Sequence, residues 1–103
     1  MKPYRAQKIS GLIKEEISLI MIQKVHDPRL GLINVLNVSI SSDLKLAKIY
    51  ISVIGDKEAK RQVEEALKNA KGFIKKELSK RIIMKYMPDI EFIIDTYMIE
   101  GEE

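Results

Sequence analysis

The 103-residue sequence contains no cysteine and no tryptophan, and none of its apolar runs approaches the length of a membrane span. Without cysteine the chain can form no disulfide, and it offers no thiolate as a metal ligand or nucleophile. A spanning helix needs about 20 apolar residues, and the N-terminus also lacks the apolar core of a signal peptide. We therefore expect a soluble, cytoplasmic protein of one small domain.

The motifs of common enzymes and metal sites are also missing. The only histidine is His26, which cannot form a metal site by itself, and no glycine-rich phosphate-binding motif occurs. Glu64 and Glu65 are adjacent, so on a helix they point about 100° apart and do not face each other. We therefore expect no enzymatic activity, no cofactor, no metal and no small-molecule substrate.

The positive charge is concentrated in one segment, although the net charge is only +3. Between residues 68 and 85, seven Lys and Arg residues oppose a single acid, Glu77. Such a run is usually a solvated helix face, but it can also bind nucleic acid, and charge alone leaves both open. A membrane-surface helix is disfavoured, because the apolar stripe of this segment is needed for the core. The seven residues are Lys68, Lys71, Lys75, Lys76, Lys80, Arg81 and Lys85.

Hydrophobic periodicity predicts the elements on either side. An apolar stripe at helical spacing predicts a helix over residues 5–25, which ends near His26 because the residue before Pro28 avoids helical backbone. Residues 32–40 and 45–54 are predicted strands of an antiparallel hairpin, and 90–95 a short third strand. On the first strand we expect Leu36, Val38 and Ile40 to face the core.

Residues 57–85 carry the pattern of two helices that meet at Ala70–Gly72. A glycine inside a helix costs about 1 kcal/mol relative to alanine, so Gly72 predicts a kink or a close approach. The order is then α-β-β-α-α-β, with the third strand parallel to the second after a right-handed crossover. We expect a two-layer α+β domain over residues 1–96, with a three-stranded mixed sheet and helices on one face, followed by an acidic tail over 97–103.

This order resembles the type II KH layout of RNA-binding domains, with Ala70-Lys71-Gly72 where a KH domain has its GxxG loop. The sequences at 27–31 (DPRLG), 43–53 (DLKLAKIYISV), 66–67, 72–78 (GFIKKEL) and 88–92 (PDIEF) together resemble the bacterial ribosome-binding factor A family. The resemblance implies a monomeric assembly factor that binds the free or immature 30S subunit at 16S rRNA, aids maturation of the 5′ region and matters most in the cold.

With the family added, the basic cluster becomes a candidate rRNA-binding surface. We include Arg29, because the turn between Pro28 and Gly31 would present its guanidinium to phosphate. No membrane partner is expected. The alternative is a generic KH-like module for single-stranded nucleic acid, which the missing GxxG loop disfavours, since loop amides that would cradle a nucleic-acid backbone are taken up in helix.

Overall fold

The computed structural model describes residues 3–30 and 33–97, including the side chains of 7–30 and 33–95. The α+β class is confirmed, but these described residues form two α-helices where the sequence predicted three. In chain order the elements are α1 (Pro3–Gln23), a 3-10 helix (Pro28–Leu30), β1 (Ile33–Ile40), β2 (Leu46–Ile54), α2 (Lys57–Arg81) and β3 (Asp89–Tyr97).

The sheet has the predicted topology, with β2 in the centre. Strand β1 pairs with β2 in antiparallel fashion, and β3 pairs with β2 in parallel. Alternate residues of β2 are buried against the helices, as a half-covered sheet requires. The third strand is longer than the predicted 90–95 and ends at Tyr97, whereas residues 98–103 of the expected tail lie outside the described residues. The buried residues of β2 are Ala47, Ile49, Ile51 and Val53.

Strand β1 contains a bulge that the sequence did not predict. The pairing shifts from Val35↔Ile51 to Asn37↔Tyr50, so Leu36 is the extra residue. An extra residue turns its side chain away from the regular alternation. The expectation that Leu36 faces the core is therefore wrong: its side chain is 48% exposed, although Val38 is buried as predicted.

The expected break at Ala70–Gly72 is also absent, because α2 is one continuous helix. Its apolar residues keep a single helical phase on both sides of Gly72, so one uninterrupted stripe packs on the sheet. That packing outweighs the low helix propensity of one glycine. The helix ends at Arg81 and not at the predicted residue 85. The next residue, Ile82, adopts extended backbone, and its side chain is buried in the core. The buried residues of the stripe are Val63, Ala66, Leu67, Ile74 and Leu78.

The start of α2 is fixed by two residues. Asp56 is the N-cap, and its carboxylate accepts a hydrogen bond of 3.0 Å from the backbone N–H of Ala59. Gly55 precedes it with φ of +143°, and a Cβ at this position would lie 2.7 Å from the Ala59 Cβ. Only glycine tolerates both the backbone conformation and the contact. Gly55 therefore sets the path from the central strand into α2.

We expect Gly72→Ala to raise the free energy of unfolding by up to about 1 kcal/mol. A Cβ at residue 72 would meet no atom within 4 Å, and Gly72 is exposed within regular helix. Alanine therefore adds helix propensity without a clash. Urea denaturation followed by circular dichroism measures the change. A loss of stability of this size would show that residue 72 needs a backbone freedom that a regular helix does not explain.

Candidate nucleic-acid interface

Five lysines form one exposed strip on the C-terminal half of α2. The strip is broad: Lys68 and Lys76 lie opposite the buried stripe, whereas Lys71 and Lys75 are half-exposed and lie on the side that faces the start of β3. Gly72 lies in the middle of the strip, four residues after Lys68 and four residues before Lys76. The strip, called the lysine face below, consists of Lys68, Lys71, Lys75, Lys76 and Lys80.

The N-terminal half of α2 has a different charge pattern. There Arg61 pairs with Glu58 at 2.6 Å and lies 4.0 Å from Glu65, and the Arg61 hydrogen bond lowers the pKa of Glu58. Glu64 adds a further exposed acid. Positive and negative charges therefore offset each other in this half, and the concentrated positive charge begins only at Lys68.

Within the lysine face, three ammonium groups have an acidic neighbour. The Nζ atoms of Lys71 and Lys75 lie 3.7 and 3.3 Å from Asp89 Oδ1, at the start of β3. The pKa of Asp89 is lowered, first by the backbone N–H of Ile90 and then by Lys75. Lys80 pairs with Glu77 at 3.2 Å. The two pairs with Asp89 are exposed enough to exchange for other anions at little expense in stability, whereas the Glu77 side chain is only 13% exposed and loses more when Lys80 leaves it.

Lys68 and Lys76 differ from the other three lysines. Across the parts of the chain with described side chains, no carboxylate lies within 4.0 Å of either ammonium group. Both side chains are exposed on the outer side of α2. Their charges are therefore directed at solvent and are the least compensated part of the lysine face.

Arg29 belongs to the fold as well as to the candidate site. Its guanidinium pairs with Asp27 at 2.6 Å and with Glu65 of α2 at 3.3 Å. The hydrogen bond from Arg29 lowers the pKa of Asp27 to about 2, so this carboxylate stays charged over the ordinary pH range. Arg29 therefore also has a role in the fold, since it ties the 3-10 turn to α2. Because Glu65 is three positions before Lys68, Arg29 still lies beside the lysine face.

The two remaining predicted residues are placed differently. Arg81 pairs with Glu16 of α1 at 3.2 Å, which explains why an acid interrupts the apolar stripe of α1. Lys85 lies in the connection after α2, where its Nζ is 5.6 Å from the centre of the Tyr86 ring. The lysine face and Arg29 thus share one surface, whereas Arg81 joins the two helices and Lys85 lies past the end of α2.

The sequence interpretation missed two exposed apolar residues, Ile83 and Tyr86, next to Lys85. The signal was present, because the Met87-Pro88 breaker leaves this stretch outside a regular helix. No helix in the described ranges combines the length and apolarity needed to cross a membrane. Over the same ranges, no group of three or more His, Cys, Asp or Glu residues could hold a metal ion.

Known proteins resemble this chain over most of its length. The profile described as ribosome-binding factor A matches residues 5–103. A ribosome-binding factor A from Thermodesulfovibrio yellowstonii is 44% identical over 103 residues, which cover 98% of this chain and 86% of that protein.

A crystal structure and a fitted model of known relatives agree with this fold. The crystal structure of ribosome-binding factor A from Thermus thermophilus is 28% identical, has a TM-score of 0.73, and covers 86% of this chain and 94% of its own. A homology model of Thermus thermophilus ribosome-binding factor A, fitted into an electron cryo-microscopy map of a 30S complex, is 27% identical, has a TM-score of 0.67, and covers 85% of this chain and 92% of its own.

Proposed function

Because the chain belongs to the ribosome-binding factor A family, we propose that it binds the small ribosomal subunit and that the lysine face contacts phosphates of 16S rRNA. The observation that carries this proposal is the exposed charge of Lys68 and Lys76, which has no carboxylate within 4.0 Å among the described side chains. The fitted 30S complex of the Thermus thermophilus relative supports the choice of the small subunit as the partner.

The physical basis is counterion release. Each lysine that neutralises a phosphate frees a condensed cation, so affinity falls as salt rises. If all five lysines each meet one phosphate, affinity should fall by about 500-fold between about 50 and 200 mM salt. Lys71, Lys75 and Lys80 would exchange carboxylate for phosphate, which gives Lys68 and Lys76 the larger net gain.

Arg29 and Arg81 can contact rRNA only if they also keep their ion pairs within the protein. Arg29 would have to share its guanidinium between Glu65 and a phosphate, and Arg81 would have to do the same with Glu16. Arginine has donors enough for such sharing, because its guanidinium carries five N–H groups. Lys85 is separated from the helix and would contact a different part of the rRNA.

We further propose that binding assists assembly of the 30S subunit and maturation of the 16S rRNA 5′ region, with the largest need in the cold. The protein would act without catalysis, as a cytoplasmic monomer. A generic KH-like module for single strands remains the second candidate. The unbroken helix at residues 70–72 disfavours it, because that backbone has no loop amides to clamp a nucleic-acid strand.

Sedimentation with purified ribosomal particles tests the proposal. We expect the protein to sediment with free 30S subunits at about 50 mM salt and to be released as salt approaches about 200 mM, but not to sediment with 50S subunits or anionic liposomes. Equal association with 30S subunits, 50S subunits and liposomes would show that the protein binds any negatively charged surface and would contradict the proposal. Salt-independent association with 30S subunits would contradict a phosphate-dominated interface.

A further inference from the structure

An open groove lies where α2 ends. It has a volume of about 660 Å³ and is bounded by α1, the β1–β2 hairpin and the connection between α2 and β3. Several large apolar side chains that line it are exposed to solvent, and a cluster of exposed apolar residues is unusual on a protein surface. The apolar lining includes Leu12, Leu44, Ile83, Met84, Tyr86 and Met87.

Tyr86 and Ile83 dominate the opening of the groove. Tyr86 is 76% exposed and Ile83 is fully exposed, whereas Met84 and Met87 below them pack on the core. A chain that needed this connection only to join α2 to β3 would gain nothing from two large apolar residues in water. Their exposure suggests a surface that another molecule covers.

The charges around the groove favour an anionic occupant. Three lysines line it, Lys8, Lys45 and Lys85, against one acid, Asp43. The Asp43 carboxylate accepts hydrogen bonds from the Ser41 hydroxyl at 2.7 Å and from the Lys45 N–H at 3.0 Å, so it is engaged within the hairpin. The three ammonium groups therefore give the groove a net positive charge.

The hairpin itself holds an unusual residue on this side. Leu44 has φ of 62°, a left-handed conformation that normally selects glycine or asparagine. The Leu44 side chain is half-buried and lines the groove. Leu44 therefore adopts an unfavourable backbone conformation, and its side chain forms part of the apolar wall of the groove.

The groove is connected to the lysine face through Asp89. The Asp89 carboxylate pairs with Lys71 and Lys75, and its backbone N–H donates to the carbonyl of Lys45, which lines the groove. A strand whose phosphates follow the lysine face toward the end of α2 would arrive at the groove. This continuity favours a nucleic acid over a protein segment as the occupant.

We propose that the groove receives an unstacked base of single-stranded RNA, stacked on the Tyr86 ring, while Lys85, Lys45 and Lys8 contact the adjoining phosphates. The Lys85 ammonium lies over one face of the ring at 5.6 Å from its centre, so the base stacks on the opposite face. The inference rests on the proposed function, since it assumes that the lysine face brings RNA to this end of α2.

The test compares two probes of equal charge. One is a single-stranded oligouridylate of about ten nucleotides, and the other is a decamer of abasic ribose-phosphate units with the same phosphates. We expect the intact protein to bind the oligouridylate at least about fivefold more tightly. Tyr86→Ala should bring the two affinities within about twofold of each other, and Tyr86→Phe should preserve the difference.

Two controls separate folding and charge from base binding. Ile22→Ala removes an equally exposed apolar residue at the other end of α1 and should leave the preference intact. The double variant Lys68→Glu/Lys76→Glu should weaken both probes alike, which tests the lysine face and not the groove. Suppose that the double lysine variant binds both probes as tightly as the unmodified protein, while Tyr86→Ala abolishes the preference for the oligouridylate. The proposed contact between the lysine face and phosphates is then wrong, and the proposed base-binding groove is supported.

Equal affinity of the intact protein for the two probes, or binding of neither, overturns the proposal. So does a loss of equal size for both probes in Tyr86→Ala. If an acidic, leucine-containing peptide binds instead and Tyr86→Ala abolishes that binding, the groove belongs to a protein partner and the base assignment is wrong.

Discussion

The dissociation constant for the 30S subunit is expected to rise by at least about tenfold in Lys68→Glu/Lys76→Glu. These are the two lysines of the lysine face without a carboxylate within 4.0 Å among the described side chains. Each substitution removes one phosphate contact and adds a negative charge that repels the rRNA. The slope of log affinity against log salt should become shallower by about two.

A charge-matched control makes this result specific. Lys14→Glu/Lys57→Glu changes the net charge by the same amount at two exposed lysines outside the lysine face. We expect that control to bind nearly as the unmodified protein does, and both double variants to keep the free energy of unfolding within about 0.5 kcal/mol. Equal weakening by the two variants would mean that overall charge, and not this face, drives association.

Gly55→Ala is expected to lower the free energy of unfolding by about 3 kcal/mol. The φ of +143° is a conformation that costs side-chain-bearing residues about 1–3 kcal/mol. The new Cβ would also lie 2.7 Å from the Ala59 Cβ, a contact that no rotamer change can relieve. A loss of this size is a large share of the stability of a small domain. Urea denaturation at equilibrium measures it.

A double-mutant cycle separates the two causes. Ala59→Gly removes the methyl group that the new Cβ would meet, but leaves the backbone strain. The double variant should therefore lose less stability than the sum of the two single variants. Strict additivity would show that the close contact relaxes without effect, and a stable Gly55→Ala would contradict the geometry of the turn into α2.

Local pattern was sufficient for most of the fold. Alternation along residues 45–54 predicted the central strand, and the helical crossover predicted that β3 would pair with it in parallel. The break at Gly72 was predicted wrongly, since helix propensity is a local quantity while the continuity of α2 depends on the stripe it packs against the sheet. The bulge at Leu36 depends on the pairing with β2, which the sequence of β1 alone does not contain.

The candidate site divides in the same way. The lysine face follows from spacing within one helix and was predicted from the sequence. The pairs that Arg29 and Arg81 form with distant residues were not, because Glu65 is 36 residues from Arg29 and Glu16 is 65 residues from Arg81. The groove escaped detection for a related reason: its walls come from three segments that only the tertiary structure brings together.

The parallel pairing of the sheet determines when this chain can complete its fold during synthesis. Strand β1 precedes β2 and can pair with it at once, but the other edge of β2 pairs with β3, beginning at Leu46 and Asp89, so that edge stays open until residues 89–97 have been made. An open central strand is prone to pair wrongly, and closing so long a loop slows folding. A nascent chain that stops at the end of α2 would thus expose the most apolar strand of the protein, and release of β3 from the translating ribosome is the step that protects it.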